Sequence, residues 1–341
     1  MTVKSAYFEI TNQCNLNCAT CYNRSGMNTA YAEISAAQMR SSIEILSKYG
    51  LEHVFISGGE PALHSEFDGI LELVNEYQML SFGIVTNGTV HNRKLIDMLN
   101  RNDNFTLQIS LDGSTDEING RTRGMGNFDK TITFARQIHK QNPSSLLKMV
   151  VSQNNIDDIA DFYSLAAALD FTPEFAFITH LGNAGDGWEK LCLSPKQRFK
   201  VLKQIDGLNK EYGKEAVLPL CTAGCPYSGR EKSLSLCIKT DGAIQPCSLL
   251  YTSEHSAGNI FEFDEAYFFE RISYITDLAV RRKSADYNCG KCILRGGCKK
   301  GCMAYAFILN GDVLAADGDC ELRKMQFIGI GFDLPNLRQK Q

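Results

Sequence analysis

The chain contains no apolar run approaching the roughly 20 residues that a membrane-spanning helix needs. Residues 1–11 hold no long apolar core of a secretory signal. Basic residues are not in excess: Lys and Arg number 35 against 39 Asp and Glu, a formal charge of -4. That balance excludes an electrostatic footprint for nucleic acid or an anionic membrane, and the cytoplasm is the expected location. There is no internal repeat and no low-complexity stretch. Between Cys21 and Cys192 there is not one cysteine, although the chain carries 13. An isolated cysteine is ordinarily a small buried hydrophobe, and Cys192 fits that description. The other twelve crowd the two ends of the chain, and in a reducing compartment they are not expected to form disulfides. Such segregation points to metal sites.

The 341 residues suffice for one large domain and a smaller one. Short β-rich runs at Tyr7–Thr11, His53–Ser57, Phe82–Thr86, Thr106–Leu111, Leu147–Ser152 and Glu174–Thr179 alternate with helical spacings. The helical segments are Ala36–Lys48, Phe67–Tyr77, Asn92–Leu99, Phe128–Lys140, Ile156–Leu169 and Pro195–Tyr212. Alternation of this kind predicts parallel strands joined by helical crossovers. Six units are too few for a closed eight-fold barrel, so the expected fold is α/β, a partial (β/α)6 TIM-like barrel with functional loops at the strand C-termini. From about Val217 glycine, cysteine and short strands replace long helices, and Thr240-Asp241-Gly242 reads as a hairpin turn between Leu234–Ile238 and Ala243–Gln245. Phe263–Val280 reads as one helix. The expected division is a barrel over 1–213, a small cysteine-rich α+β domain organised by metal over 214–325, and a tail over 326–341; nothing from Arg323 onward carries a motif.

Cys14-Asn-Leu-Asn-Cys18-Ala-Thr-Cys21 follows directly on the first strand. Three thiolates can hold three irons of a [4Fe–4S] cubane and leave the fourth open to a chelating amino acid. A zinc ion would need a fourth ligand, and the next candidate is His53. The C-x3-C-x2-C pattern followed by Tyr22 resembles the radical SAM superfamily. Ser57-Gly58-Gly59-Glu60-Pro61 after the second strand, Thr86-Asn87-Gly88 after the third and Ser110-Leu111-Asp112-Gly113 after the fourth strengthen the resemblance. It implies that Cys14, Cys18 and Cys21 hold a catalytic cluster and that Gly58, Gly59 and Glu60 meet the methionine amino group of S-adenosylmethionine (SAM). Ser110 would contact the ribose, with Thr86, Asn87 and Asp112 on the same face. Tyr22 would pack near the adenine, and Val150 and Val151 would wall it, Val151 being the expected contact and plain core the alternative for both. The implied chemistry is reductive cleavage of SAM to a 5′-deoxyadenosyl radical that takes a hydrogen atom from substrate.

Cys289, Cys292, Cys298, Cys302 and Cys320 give C-x2-C-x5-C-x3-C with a trailing cysteine, behind Cys221, Cys225, Cys237 and Cys247. This resembles the SPASM extension of radical SAM enzymes, which implies two auxiliary [4Fe–4S] clusters and three in all. Carried over, Cys225, Cys237, Cys247 and Cys302 would ligate the first and Cys289, Cys292, Cys298 and Cys320 the second. Cys221 competes for a place with Cys225, and the spacing of Cys289–Cys302 also suits a zinc ribbon.

SPASM enzymes mostly modify peptides, so crosslinking, epimerisation or oxidation of a ribosomal peptide is the expected function. The alternatives are the same chemistry on a sugar or antibiotic precursor, or an electron relay without turnover. Sulfatase-maturing relatives place an Asp base after the cysteine matching Cys247; here Ser248 stands there, a far poorer base. Thirteen residues before Cys14 are too few for a leader-binding domain, so a separate leader-peptide-binding protein is one expected partner. A flavodoxin or ferredoxin as electron donor is another. Cys192 and Cys221 are candidate hydrogen-atom donors for an epimerase.

Overall fold

A computed structural model describes residues 2–27, 30–138, 145–217, 225, 227, 233–284, 289, 292, 294, 298 and 300–328. The barrel runs β1 (Thr2–Thr11), α1 (Ala36–Ser47), β2 (His53–Gly58), α2 (Phe67–Glu76), β3 (Ser81–Thr86), α3 (Arg93–Arg101) and β4 (Phe105–Ser110). It continues through α4 (Asp116–Arg123), α5 (Phe128–Ala135), β5 (Leu146–Val151), α6 (Ile159–Ala168) and β6 (Thr172–Phe177). Short α7 (Gly182–Asp186) and α8 (Trp188–Leu191) lead to α9 (Pro195–Tyr212). Then come β7 (Ser233–Ile238), β8 (Ile244–Gln245), α10 (Glu265–Ser284), α11 (Met303–Asn310) and α12 (Cys320–Ile328). The sheet order is β6-β5-β4-β3-β2-β1-β7-β8, and the pairs from β1 to β6 are all parallel.

One face of each strand is apolar and meets the helices. Phe8, Ile10, Ile56, Ile84, Ile109 and Met149 are at most 1 % exposed and share a core with Met39, Ile43 and Leu46 of α1 and Ile70 and Leu71 of α2. Burying each such side chain contributes about 1.5–3 kcal/mol. Strand alternation sends the intervening residues to the other face. There Tyr7 stacks on Phe55 with ring centroids 4.4 Å apart, and Lys148 Nζ lies 2.8 Å from Glu174 Oε1. The barrel lumen is therefore polar at several levels. Helix starts follow the local chemistry: Ser35 with Gln38 and Ser194 with Gln197 form capping boxes at α1 and α9.

Three features depart from the sequence reading. First, β7 pairs in parallel with β1, Cys237 opposite Tyr7, so the first strand after the barrel helices extends the barrel sheet. The expected β7–β8 hairpin is present, with Gly242 at φ +84 in its turn. Second, α4 was not expected. Its sequence, DEINGRTR, has no apolar stripe; it rests on the Thr115 cap, an acidic first turn and a basic last turn. Third, the segment read as tail from Arg323 contributes to helix α12, which lies against α9. Arg323 is buried and pairs with buried Asp317, a satisfied ion pair that a one-dimensional pattern reads as solvated surface. The predicted Phe128–Lys140 helix is observed as Phe128–Ala135, and residues 139–144 lie outside the described set.

Candidate functional site

The loop bearing Cys14, Cys18 and Cys21 leaves the end of β1 and is held from several sides by backbone contacts. The Gly59 N–H donates to Thr11 O and the Glu60 N–H to Gln13 O, both at 2.7 Å. A Cβ on Gly58 would stand 2.3 Å from Thr11 O, and one on Gly59 2.1 Å from Gln13 O and 3.1 Å from Cys14 N. The glycine pair thus lets the end of β2 dock on the chain entering Cys14. From α4, Thr122 O accepts from the Ala19 N–H at 2.8 Å. From α7, the Asn183 N–H donates to Cys21 O at 2.9 Å, its side-chain amide donates to Cys18 O at 2.9 Å, and Gly182, at φ +57, leaves room for Cys21 O.

Polar side chains converge on the sulfurs. Arg123 Nη1 donates toward Cys18 Sγ at 3.9 Å, while its Nε lies 2.8 Å from Asp112 Oδ2. Asn87 Nδ2 donates to Asn15 Oδ1 at 3.0 Å and reaches Cys14 Sγ at 4.0 Å. Burial pushes the Cys18 thiol up to about 11 against the pull of Arg123, and it raises Cys14 as well; nearby Cys21 opposes ionisation of both. Three neighbouring part-buried thiols, of which Cys14 and Cys18 resist ionising, form a donor set that a polycationic iron centre relieves. Among the described residues no three His, Cys, Asp or Glu side chains surround a space for a single metal ion. His53, the sequence candidate for a fourth zinc ligand, instead contacts Ser81 Oγ at the start of β2.

The other sequence candidates are gathered at the strand ends, several in roles the sequence did not suggest. Glu60 is fully buried; its Oε1 accepts from Thr86 Oγ1 at 2.7 Å and from the Ala62 N–H at 3.2 Å, and its Oε2 from the Asn87 N–H at 2.7 Å. Burial raises its pKa, and those donors oppose the rise. Its carboxylate thus ties β2 to β3. Asp112 Oδ1 accepts from the Val150 N–H at 2.8 Å and Oδ2 faces Arg123, so Asp112 braces β4, β5 and α4. The Val151 expectation is corrected: at 0 % exposure it faces the helix-side core, while Val150 points the other way and packs with Ala19 and Ile178 beside the cysteine loop. Ser110 ends β4 opposite Lys148. The Tyr22 hydroxyl is buried near Glu9, Cys237 and Cys21, which with burial raises its pKa well above the usual value. Cys192 caps α8, its N–H bonded to Trp188 O and its carbonyl to Gln153, and no described contact brings it to Cys14, Cys18 or Cys21. Cys221 lies outside the described residues.

Among the C-terminal cysteines, Cys225, Cys247 and Cys302 lie close enough to oppose one another's ionisation; with burial, Cys247 rises to about 12 and Cys302 to about 11. Cys237, 1 % exposed, neighbours Cys247 and directs its Sγ to Glu9 Oε1 at 3.6 Å. Cys298 and Cys320 flank Arg323, whose Nη2 lies 3.8 Å from Cys320 Sγ. Arg282, among the most buried side chains, donates to Val313 O at 2.6 Å and also to Ala315 O and Lys300 O. Sequence reasoning missed Arg123, Arg282, Arg323 and the Glu9–Lys239 pair. Arg123 in the last turn of a polar helix reads only as a dipole complement, and no signal marks it as a thiol's neighbour.

Residues 8–166 match the family model described as Radical SAM superfamily. Those residues, just under half of the chain, carry a radical SAM domain. The chain is 25% identical over 325 residues to the mycofactocin maturase MftC of Mycolicibacterium smegmatis, covering 92% of this chain and 81% of the relative. Among solved structures, native anSMEcpe with bound AdoMet and Cp18Cys peptide gives a TM-score of 0.75 at 21% identity, with 96% of this chain and 98% of that one covered. Streptococcus suis SuiB bound to precursor peptide SuiA gives 0.70 at 17%, covering 94% and 76%. Radical SAM enzymes work with a [4Fe–4S] cluster and SAM, and the three convergent thiols at the strand ends fit that group. Among the described residues no helix is long and apolar enough to cross a membrane.

Proposed function

We propose that this chain is a radical SAM peptide maturase carrying one catalytic and two auxiliary [4Fe–4S] clusters. The observation behind this reading is the β1 loop, where three part-buried thiols converge beside the strand ends and are braced by β2, α4 and α7. Cys14, Cys18 and Cys21 would hold the catalytic cluster, with Gly58, Gly59, Thr86, Asn87, Ser110 and Val150 beside SAM. Glu60, Asp112 and Arg123 position that wall through the bonds described above, and Tyr22 closes it toward Cys237. When bound, the cluster and SAM supply reductive C–S cleavage and abstraction of a substrate hydrogen atom. The chain's part is to orient SAM at the strand ends, keep the thiols dry and present the polar lumen to substrate.

Cys225, Cys237, Cys247 and Cys302 would ligate the first auxiliary cluster and Cys289, Cys292, Cys298 and Cys320 the second, in a cluster-bearing segment that shares β7 with the barrel sheet and runs through α12. The mutual influence of the first four thiols and the placement of Arg323 between Cys298 and Cys320 favour this grouping. A peptide substrate is supported by the maturase relative and by two structural neighbours whose solved forms include a bound peptide. A flavodoxin or ferredoxin would deliver electrons, a separate leader-binding protein would present the peptide, and a reducing cytoplasm suits the free thiols. The test incubates anaerobically reconstituted protein with SAM, dithionite and the precursor peptide encoded beside its gene. The expected result is 5′-deoxyadenosine formed together with a peptide that has lost hydrogen or taken deuterium from solvent. Abundant 5′-deoxyadenosine with every such peptide unchanged would instead favour a small-molecule substrate.

A further inference from the structure

Glu9 stands on the lumen side of β1, 4 % exposed, and its carboxylate is surrounded. Lys239 Nζ lies 2.5 Å from Oε2, Asn23 Nδ2 donates to the same oxygen at 2.9 Å, and Cys237 Sγ approaches Oε1 at 3.6 Å. Lys239 also donates to Asn23 Oδ1 at 3.3 Å and sits 5.0 Å from the centroid of the Tyr251 ring, four residues beyond Cys247. Asn23 is two residues past Cys21. One part-buried network therefore touches the loop of the N-terminal thiols, the lumen and the strand that carries Cys237. Nothing in the barrel fold requires an ion pair there; an apolar pair would close the same gap without desolvating two charges.

We propose that Glu9 and Lys239 act as opposed charges on the reduction potential of the centre held by Cys225, Cys237, Cys247 and Cys302, each balancing the other. The proposal rests on the ligand assignment made above. One-electron reduction adds a negative charge at that centre. A carboxylate a few ångströms from a thiolate opposes that charge, and an ammonium favours it, the more so where water is excluded. With both present the two effects largely cancel. Removing one leaves the other uncompensated, so the two single variants move the potential in opposite senses. Asn23 is neutral and acts as a positioning residue for both.

The test is an equilibrium redox titration of the anaerobically reconstituted full chain, following the auxiliary-centre EPR signal with low-potential mediators. Glu9→Gln is expected to make reduction easier by about tenfold at fixed potential, equivalent to about 59 mV for one electron, and Lys239→Met to make it harder by a similar factor. Asn23→Ala, which removes hydrogen bonds and no charge, is expected to move it much less. Shifts of the same sign in Glu9→Gln and Lys239→Met, no shift in either, or an equal shift in Asn23→Ala would overturn the proposal. If Glu9→Gln does not load iron, the sign in Lys239→Met decides alone. Cys237→Ser separates this inference from the ligand assignment. Unaltered iron content and an unaltered signal in that variant would remove Cys237 from the ligand set, and the opposed shifts would still be decided by the charge variants.

Discussion

Cys18→Ala is expected to lower 5′-deoxyadenosine formation from SAM and dithionite by roughly a thousandfold or more, while iron bound by the C-terminal cysteines is retained. Cys18 is the N-terminal thiol that Arg123 approaches, and Arg123 is locked to fully buried Asp112. The substitution therefore leaves the Asp112–Arg123 brace in place and removes one donor of three. Two thiols cannot hold a cubane with a single open iron, so the loss falls on the chemistry and not on the fold. Chromatographic detection of 5′-deoxyadenosine with iron and sulfide analysis checks it. Cys289→Ala provides the contrast: it should lose iron and still cleave SAM. Equal cleavage by Cys18→Ala and the unaltered protein would refute the assignment of this loop.

Gly59→Ala is expected to lower SAM cleavage roughly ten- to a hundredfold without altering any proposed ligand. The new methyl would stand 2.1 Å from Gln13 O and 3.1 Å from Cys14 N, and both are backbone atoms that cannot rotate away. Overpacking of this kind costs about 1–3 kcal/mol, and here the strain falls on the residue before the first thiol. Gly207→Ala is the matched control. Gly207 lies within α9, exposed, with nothing within 4 Å of an added Cβ. It should stabilise the protein by about 0.5–1 kcal/mol, seen as a higher Tm, with cleavage unchanged. A Gly59→Ala protein with normal loop chemistry would mean that the β2 end does not hold the cysteine loop.

The barrel was legible because its signals are local. Strand alternation and capped helices repeat every few tens of residues, and the cysteine spacing is a one-dimensional pattern. The motif at Ser57–Pro61 was legible as a site, yet its contacts were not. Gly59 packs against Gln13 and Glu60 binds Thr86 and Asn87, partners that adjoin only once the strands align. Val150 and Val151 show the limit of alternation, which says that one faces the site and not which one. Charged residues were the least legible. Glu9 and Lys239 lie 230 positions apart and Arg282 reaches carbonyls 18 to 33 residues away, so neither carries a local signature of burial. The pairing of β7 with β1 was hidden for the same reason, since a short strand after a long helix carries no mark of its partner.

The central claim is that the β1 loop leaves one iron for SAM to bind through its amino and carboxylate groups. Electron–nuclear double resonance of the reduced protein with SAM labelled at the methionine nitrogen and carboxylate oxygens tests it most directly. The account predicts hyperfine coupling from both labels in the unaltered protein and from neither in Cys18→Ala. Coupling from neither label in fully loaded, unaltered protein would contradict it.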